Sequence, residues 1–241
     1  MMNTLIPKQF IFFILLALFS IGNSHSANAP WVGQDLKGAP CKGKTTTYGP
    51  YDYKLKAQKA RELYLVESAH FTNNVENLAK GNSGSLPREL DYTLRAWPNH
   101  HRALNSISRY KLLYPNGKKT ISAVECYFQR AINFSPEDAT THMLYGMFLH
   151  KTKHLKAAKI AYDAAVKLSP LNPVVRYNYG LFLFQLKKYD LAQKQAVIAY
   201  EANFPLNGLK NKLKRVKFWP PKQVVNTGDN NIITPKNAIK Q

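Results

Sequence analysis

Cysteine is nearly absent from this sequence: Cys41 and Cys126 are the only two in 241 residues. Two thiols so far apart cannot make the C-x-x-C spacing of zinc and dithiol redox sites, which leaves one intramolecular pairing or two unrelated free thiols. Acid is scarce as well, with 14 Asp and Glu against 34 Lys and Arg and a formal charge of +20. An excess of that size favours contact with something anionic, whether an acidic protein, an envelope polymer, a lipid surface or nucleic acid. Nucleic acid is set aside, because no recognition motif for it is present. G-x-S-x-G, H-E-x-x-H and a phosphate-cradling Gly loop are also missing, so the usual residues of esterase, zinc-protease and nucleotide chemistry are not there. No metal or cofactor is expected.

Long apolar runs are limited to one. Lys8 precedes a continuously apolar stretch from Phe10 to Phe19 that ends near Ile21, and Ala27-Asn28-Ala29 forms an A-x-A site. This is the pattern of a secretory signal peptide over residues 1–29, with Pro30 after the site moving the cut a few residues upstream. The run falls short of the roughly 20 residues a spanning helix needs, so no transmembrane anchor is expected after cleavage. Export to the periplasm or beyond would put both thiols in an oxidising compartment, and a Cys41–Cys126 disulfide follows as an expectation.

A period of 34 residues organises the second half. Val124, Ala158 and Ala192 keep that step, as do Phe128, Tyr162 and Ala196, and Ala131, Ala165 and Ala199. Pro136 and Pro170 share it, with Pro205 one residue late, and Tyr145-Gly146 matches Tyr179-Gly180, each followed three residues on by Leu149 or Leu183. On these residues the chain resembles the tetratricopeptide repeat (TPR) family, whose unit is two antiparallel helices closed by a proline. The resemblance implies an all-α, α-α superhelical solenoid over residues 120–218, with a degenerate copy reaching back to about residue 98. Gly146 and Gly180 would let the facing helix approach, and Tyr162 would fill the gap between neighbouring units. Leu206, Leu209, Leu213 and Val216 form an apolar stripe among Lys210, Lys212, Lys214, Arg215 and Lys217, as a basic capping helix would. From Trp219 onward the sequence reads as a disordered tail.

The resemblance also implies a concave groove lined by the first helix of each unit, here Met143, Met147, His150 and Lys151, then Tyr177, Leu181, Phe184 and Gln185. Such a groove is apolar with a basic edge. It suits an extended or helical segment of a partner, an acidic one for preference, or the chain's own N-terminal arm.

Residues 30–119 are expected to be an irregular arm followed by short helices: 56–66, 73–80 capped by Thr72, and one from Pro98 to about Leu113. The string Leu-Asp-Tyr-Thr-Leu-Arg-Ala-Trp-Pro-Asn-His-His-Arg-Ala-Leu at 90–104 resembles a string of exported bacterial TPR proteins. It gathers Arg95, His100 and His101 as a possible ligand pocket, and an enzyme acting on an envelope polymer would use that region. The other reading makes Asp91, Arg95, Asn99 and His100 structural groups that satisfy buried backbone. The first choice from sequence is a non-catalytic binding or scaffolding protein of the cell envelope.

Overall fold

The computed structural model describes residues 28–45, 48–115 and 120–221. The expected signal peptide, apart from its last two residues, and the tail beyond residue 221 lie outside them. Among the described residues there are ten α-helices and no strand: α1 (Ala60–His70), α2 (Asn73–Glu76), α3 (Leu86–Ala96), α4 (His101–Leu113), α5 (Val124–Phe134), α6 (Ala139–Lys151), α7 (Leu155–Leu168), α8 (Pro173–Gln185), α9 (Tyr189–Glu201) and α10 (Gly208–Arg215).

The helices from α4 onward pair as the period requires. Connections of three residues join α6 to α7 and α8 to α9, which leaves no room for anything but antiparallel neighbours. The small residues set the closeness. Ala158, Ala165, Ala192, Ala196 and Ala199 are all fully buried, and Tyr162 stacks on Tyr179 at 5.3 Å, joining one unit to the next. A Cβ on Gly146 would sit 3.1 Å from the Tyr162 ring, so α6 and α7 meet there as expected. Gly180 works differently. A Cβ there would run into the side chain of Leu209, so this glycine admits α10 rather than chiefly its hairpin partner. Leu209 and Leu213 are fully buried while Leu206 is exposed, which shortens the expected capping stripe to one face of α10. Trp219, placed in the tail by the sequence, packs edge-on against Tyr200 at 5.4 Å and belongs to the fold.

Gly146→Leu is therefore expected to lower unfolding stability by about 1–3 kcal/mol, because four heavy atoms must displace a fully packed tyrosine. Urea denaturation checks it, and an unchanged midpoint would show that α6 and α7 do not meet as described.

The N-terminal half departs from expectation in its boundaries. Before α1 comes a short 3-10 turn, Tyr53–Leu55, and α1 itself runs four residues past the expected end. Thr72 occupies the cap of α2 without a side-chain hydrogen bond, and the helix stops at Glu76, short of the left-handed Leu78 at φ 60°. Helix α3 occupies a stretch for which the sequence suggested no helix. Helix α4 begins at His101, not Pro98, because the His100 ring nitrogen Nδ1 accepts from the Ala103 amide at 3.1 Å and caps it there.

Residues 29–45 run over α5. The Gln129 side chain exchanges hydrogen bonds with Gln34, donating from Nε2 at 2.6 Å and accepting at 3.2 Å, and Glu125 accepts from the Leu36 amide at 2.7 Å. Cys41 and Cys126 are disulfide-bonded, with Cα atoms 5.4 Å apart. Trp31 lies edge-on to Tyr127 and against the Arg130 guanidinium, each at 5.1 Å.

Candidate functional site

Two regions carry the expected site residues, and they differ in kind. Around α4 the polar side chains are bonded to one another. His100 is fully buried; with Nδ1 accepting from Ala103, its Nε2 carries the proton and donates to Glu67 at 2.9 Å. Burial holds the His100 pKa below its ordinary value, against the pull of Glu67. His101 meets Asp138 at 2.8 Å, and Asn99 Nδ2 donates to Asp138 at 2.9 Å and to Asp52 at 2.7 Å. Asp138 also accepts the Thr140 and Thr141 amides and so caps α6. Burial opposes its charge, but these donors, His101 foremost, keep its carboxyl below the usual range. Tyr53 sits over His100, ring centres 4.3 Å apart, and its amide donates to Asn99. Arg102 holds Glu76 with Nε and Nη2 and reaches Glu67 with Nη1 at 3.1 Å.

The expected pocket of Arg95, His100 and His101 is not assembled as one. Arg95 instead joins Asp91 at 2.9 Å and the Thr45 carbonyl at 2.6 Å, so the three side chains serve three separate contacts. Both ring nitrogens of His100 are committed. Asp91 and Arg95 bond to each other, while Asn99 accepts the Tyr53 amide and His100 the Ala103 amide, the last two satisfying buried backbone as the structural reading of this string describes. Sequence reasoning missed Arg130, which is almost fully buried and has no carboxylate partner among the described residues. Its donors reach the carbonyls of Ala29 at 2.7 Å and Leu94 at 2.7 Å, and burial pushes its pKa down to about 10. No local pattern announces it, since the partners lie 36 and 101 residues away.

The second region is the inner face of the repeats. A cavity of about 440 Å³ is lined by Met147, His150, Lys151, Leu181, Phe184 and Gln185, six of the eight residues expected of a groove. Tyr162, Asn178 and Lys212 complete it. Met143 and Tyr177 are buried: Met143 Sδ accepts from Asn178 at 3.7 Å, and the Tyr177 ring packs against Phe204 at 4.5 Å beneath the cap. His150 Nε2 meets Gln185 Oε1 at 2.7 Å, bridging α6 and α8 across the floor. Lys212 enters from α10 and lies over the Phe184 ring at 5.7 Å. The cap thus adds a cation that the repeat register alone does not reveal. No described residue of the N-terminal arm lines the cavity, because the arm lies on α5.

Charge is divided unevenly between the halves. Only Asp163, Asp190 and Glu201 fall between residues 139 and 221, against 14 Lys and Arg. Residues 30–138 carry 10 acids against 16 Lys and Arg, so the larger share of the net positive charge belongs to the repeats.

Residues 139–170, which span α6 and α7, match the family described as Tetratricopeptide repeat. No curated protein and no solved structure matches the chain. That match falls on the hairpin that stacks between α4–α5 and α8–α9, so the chain contains a tetratricopeptide repeat, a unit whose general use is to bind other proteins.

Proposed function

We propose that the protein is exported and acts in the cell envelope as a non-catalytic binding or scaffolding module that holds a segment of another protein on the inner face of its repeats. The observation that carries this reading is the open cavity floored by Met147, Leu181 and Phe184 and edged by Lys151 and Lys212, which the chain's own arm leaves uncovered. Apolar side chains supply the affinity and the two lysines select an acidic segment, with an anionic envelope polymer as the alternative ligand of the same charge. Export is supported by the disulfide, which is at home in an oxidising compartment. Ala29 is buried and holds Arg130, so processing at or before residue 28 would keep that contact.

Capture from envelope extract tests the reading. The mature protein should retain a defined partner at low salt and release much of it above physiological ionic strength, where the screening length drops below about 8 Å. Leu181→Glu should abolish capture while leaving Tm within a few degrees, since Leu181 is only partly buried. Retention of the same partner by that variant would place binding elsewhere and sink the proposal.

A further inference from the structure

One edge of the stack combines cations and exposed apolar groups in a way that the groove does not use. His101 at the start of α4 meets Asp138 at the start of α6, so these two helices begin on the same edge and end on the opposite one. Short hairpins carry the same sense on to α8. The ends of α4, α6 and α8 and the starts of α5, α7 and α9 therefore share one edge. Lys111, Lys151, Lys153, Lys156, Lys187 and Lys188 are all there, all exposed, and none is in an ion pair among the described residues. The acids nearby are Asp190, the buried Glu125 in the first turn of α5, which accepts the Leu36 amide, and, on the arm, Asp35, whose carboxylate accepts the Lys37 and Ala39 amides. The turns of the opposite edge, at 135–138, 169–172 and 202–207, contain no Lys or Arg.

Backbone geometry adds an independent observation. Lys153 at φ 67° and Lys187 at φ 58° occupy the left-handed residue of their turns, one repeat apart. That conformation suits glycine or asparagine, and the turn after α9 does use Asn203 there, at φ 57°. A helix dipole favours a cation in the last turn. It gives no reason to prefer lysine over glycine at the strained residue. Retaining two lysines against that cost points to a use for their charge.

Beside them, at the end of α4, Leu112, Leu113 and Tyr114 are 39, 60 and 46% exposed, and Ile121 ahead of α5 is 38% exposed. Leu168, Leu171 and Leu206 are exposed on the opposite edge, where Lys167 in the last turn of α7 is the exposed lysine beside them, against six on this edge. Lysines flanking leucines and a tyrosine along one edge are what a bilayer interface takes: headgroup phosphates meet the ammonium groups, and the apolar side chains enter the acyl boundary. We propose that this edge docks the protein on an anionic lipid surface, leaving the inner face of the repeats free.

The test is sedimentation of the mature protein with vesicles of phosphatidylcholine alone or with one quarter phosphatidylglycerol. Parent and variants share the same N-terminus, so their difference reads the edge. Binding is expected only with the anionic lipid, and each lysine removed should weaken it roughly five-fold. Lys153→Gly with Lys187→Gly should thus lose about 25-fold while Tm holds or rises, since glycine relieves the left-handed residues; a merely structural role for these lysines would leave binding untouched. Leu113→Ser should weaken vesicle binding as well. Equal binding to neutral vesicles, or a double glycine variant that binds like the parent, overturns the proposal. So does an unaltered Leu113→Ser, which would mean the edge reads charge alone and suits a soluble polyanion.

Discussion

Reducing the Cys41–Cys126 bond, or replacing Cys126 by Ser, is expected to lower unfolding stability by about 4.5 kcal/mol in the chain-entropy model. The bond closes a loop between residues 85 apart, and opening it returns that conformational freedom to the unfolded chain. For a chain of this size the loss corresponds to a fall in Tm of roughly 10–18 °C. Its structural consequence is local. The arm has few apolar contacts of its own beyond Trp31 and Leu36, which pack against the main core. Once the arm lifts, Arg130 loses the Ala29 carbonyl and the Trp31 ring together. Trypsin should therefore cut sooner at Lys37, Lys42 and Lys44 in reductant, while the fragment from α6 to α10 persists. Guanidinium unfolding with and without reductant measures the first effect and timed digestion the second. Identical midpoints in the two conditions would contradict the entropic role assigned to the bond.

Asp138→Ala should cost about 3–5 kcal/mol, the range for breaking a buried charge pair from one side. Asp138 is 3% exposed, and removing its carboxylate strips His101 and Asn99 of an acceptor and uncaps α6 in one step. Asp138→Asn should lose less, because an amide oxygen still caps the helix. The same residues set the acid response. Asp138 is held below its unfolded pKa of about 3.9, so its contribution is present above that pH and disappears as pH falls through the folded value. Glu67, held down by the His100 hydrogen bond, and Glu76, held down by Arg102, behave alike. His100 acts earlier. The unfolded imidazole takes up a proton below about pH 6.5 that the buried ring resists, so stability begins to decline there. Tm measured from pH 7.5 to 2 should fall in those two stages in the parent, and the lower one should shrink in Asp138→Ala, leaving the part due to Glu67 and Glu76. A variant less than 1 kcal/mol weaker than the parent would mean that Asp138 is not the centre of this network.

The repeats were legible because each unit solves the same packing problem with the same residues. A glycine at 146 and alanines at 158 and 165 recur at 34-residue spacing, and a period needs no knowledge of what lies across the interface. The disulfide was legible for a simpler reason, since two thiols admit one bond. Helix α3 was not seen, although Leu86, Leu90 and Leu94 stand at helical spacing and Pro87 suits a first turn. Glu89, Asp91 and Thr93 masked it by placing polar groups on the buried side. Two are satisfied from outside the helix, Glu89 by His70 and the amides of Ser83 and Gly84, and Asp91 by the Tyr127 hydroxyl at 2.6 Å, while Thr93 donates to the Glu89 carbonyl at 3.0 Å. Lys212 escaped for a related reason. Its position on α10 says nothing of the groove until Leu209 fixes how α10 lies across α8.

That insertion of Leu209 beside Gly180 also sets a length. It ends the stack after α9, so α4, α6 and α8 are the inner surface that the described residues offer. Adjacent packed helices lie about 8–10 Å apart, which makes the span from α4 to α8 roughly 16–20 Å. An extended chain advances about 3.3 Å per residue, so a ligand crossing that span meets it with about five or six residues. The footprint is that of a short linear motif. Recognition on such a scale rests on two or three anchoring side chains, and a single substitution in the motif would be enough to break it.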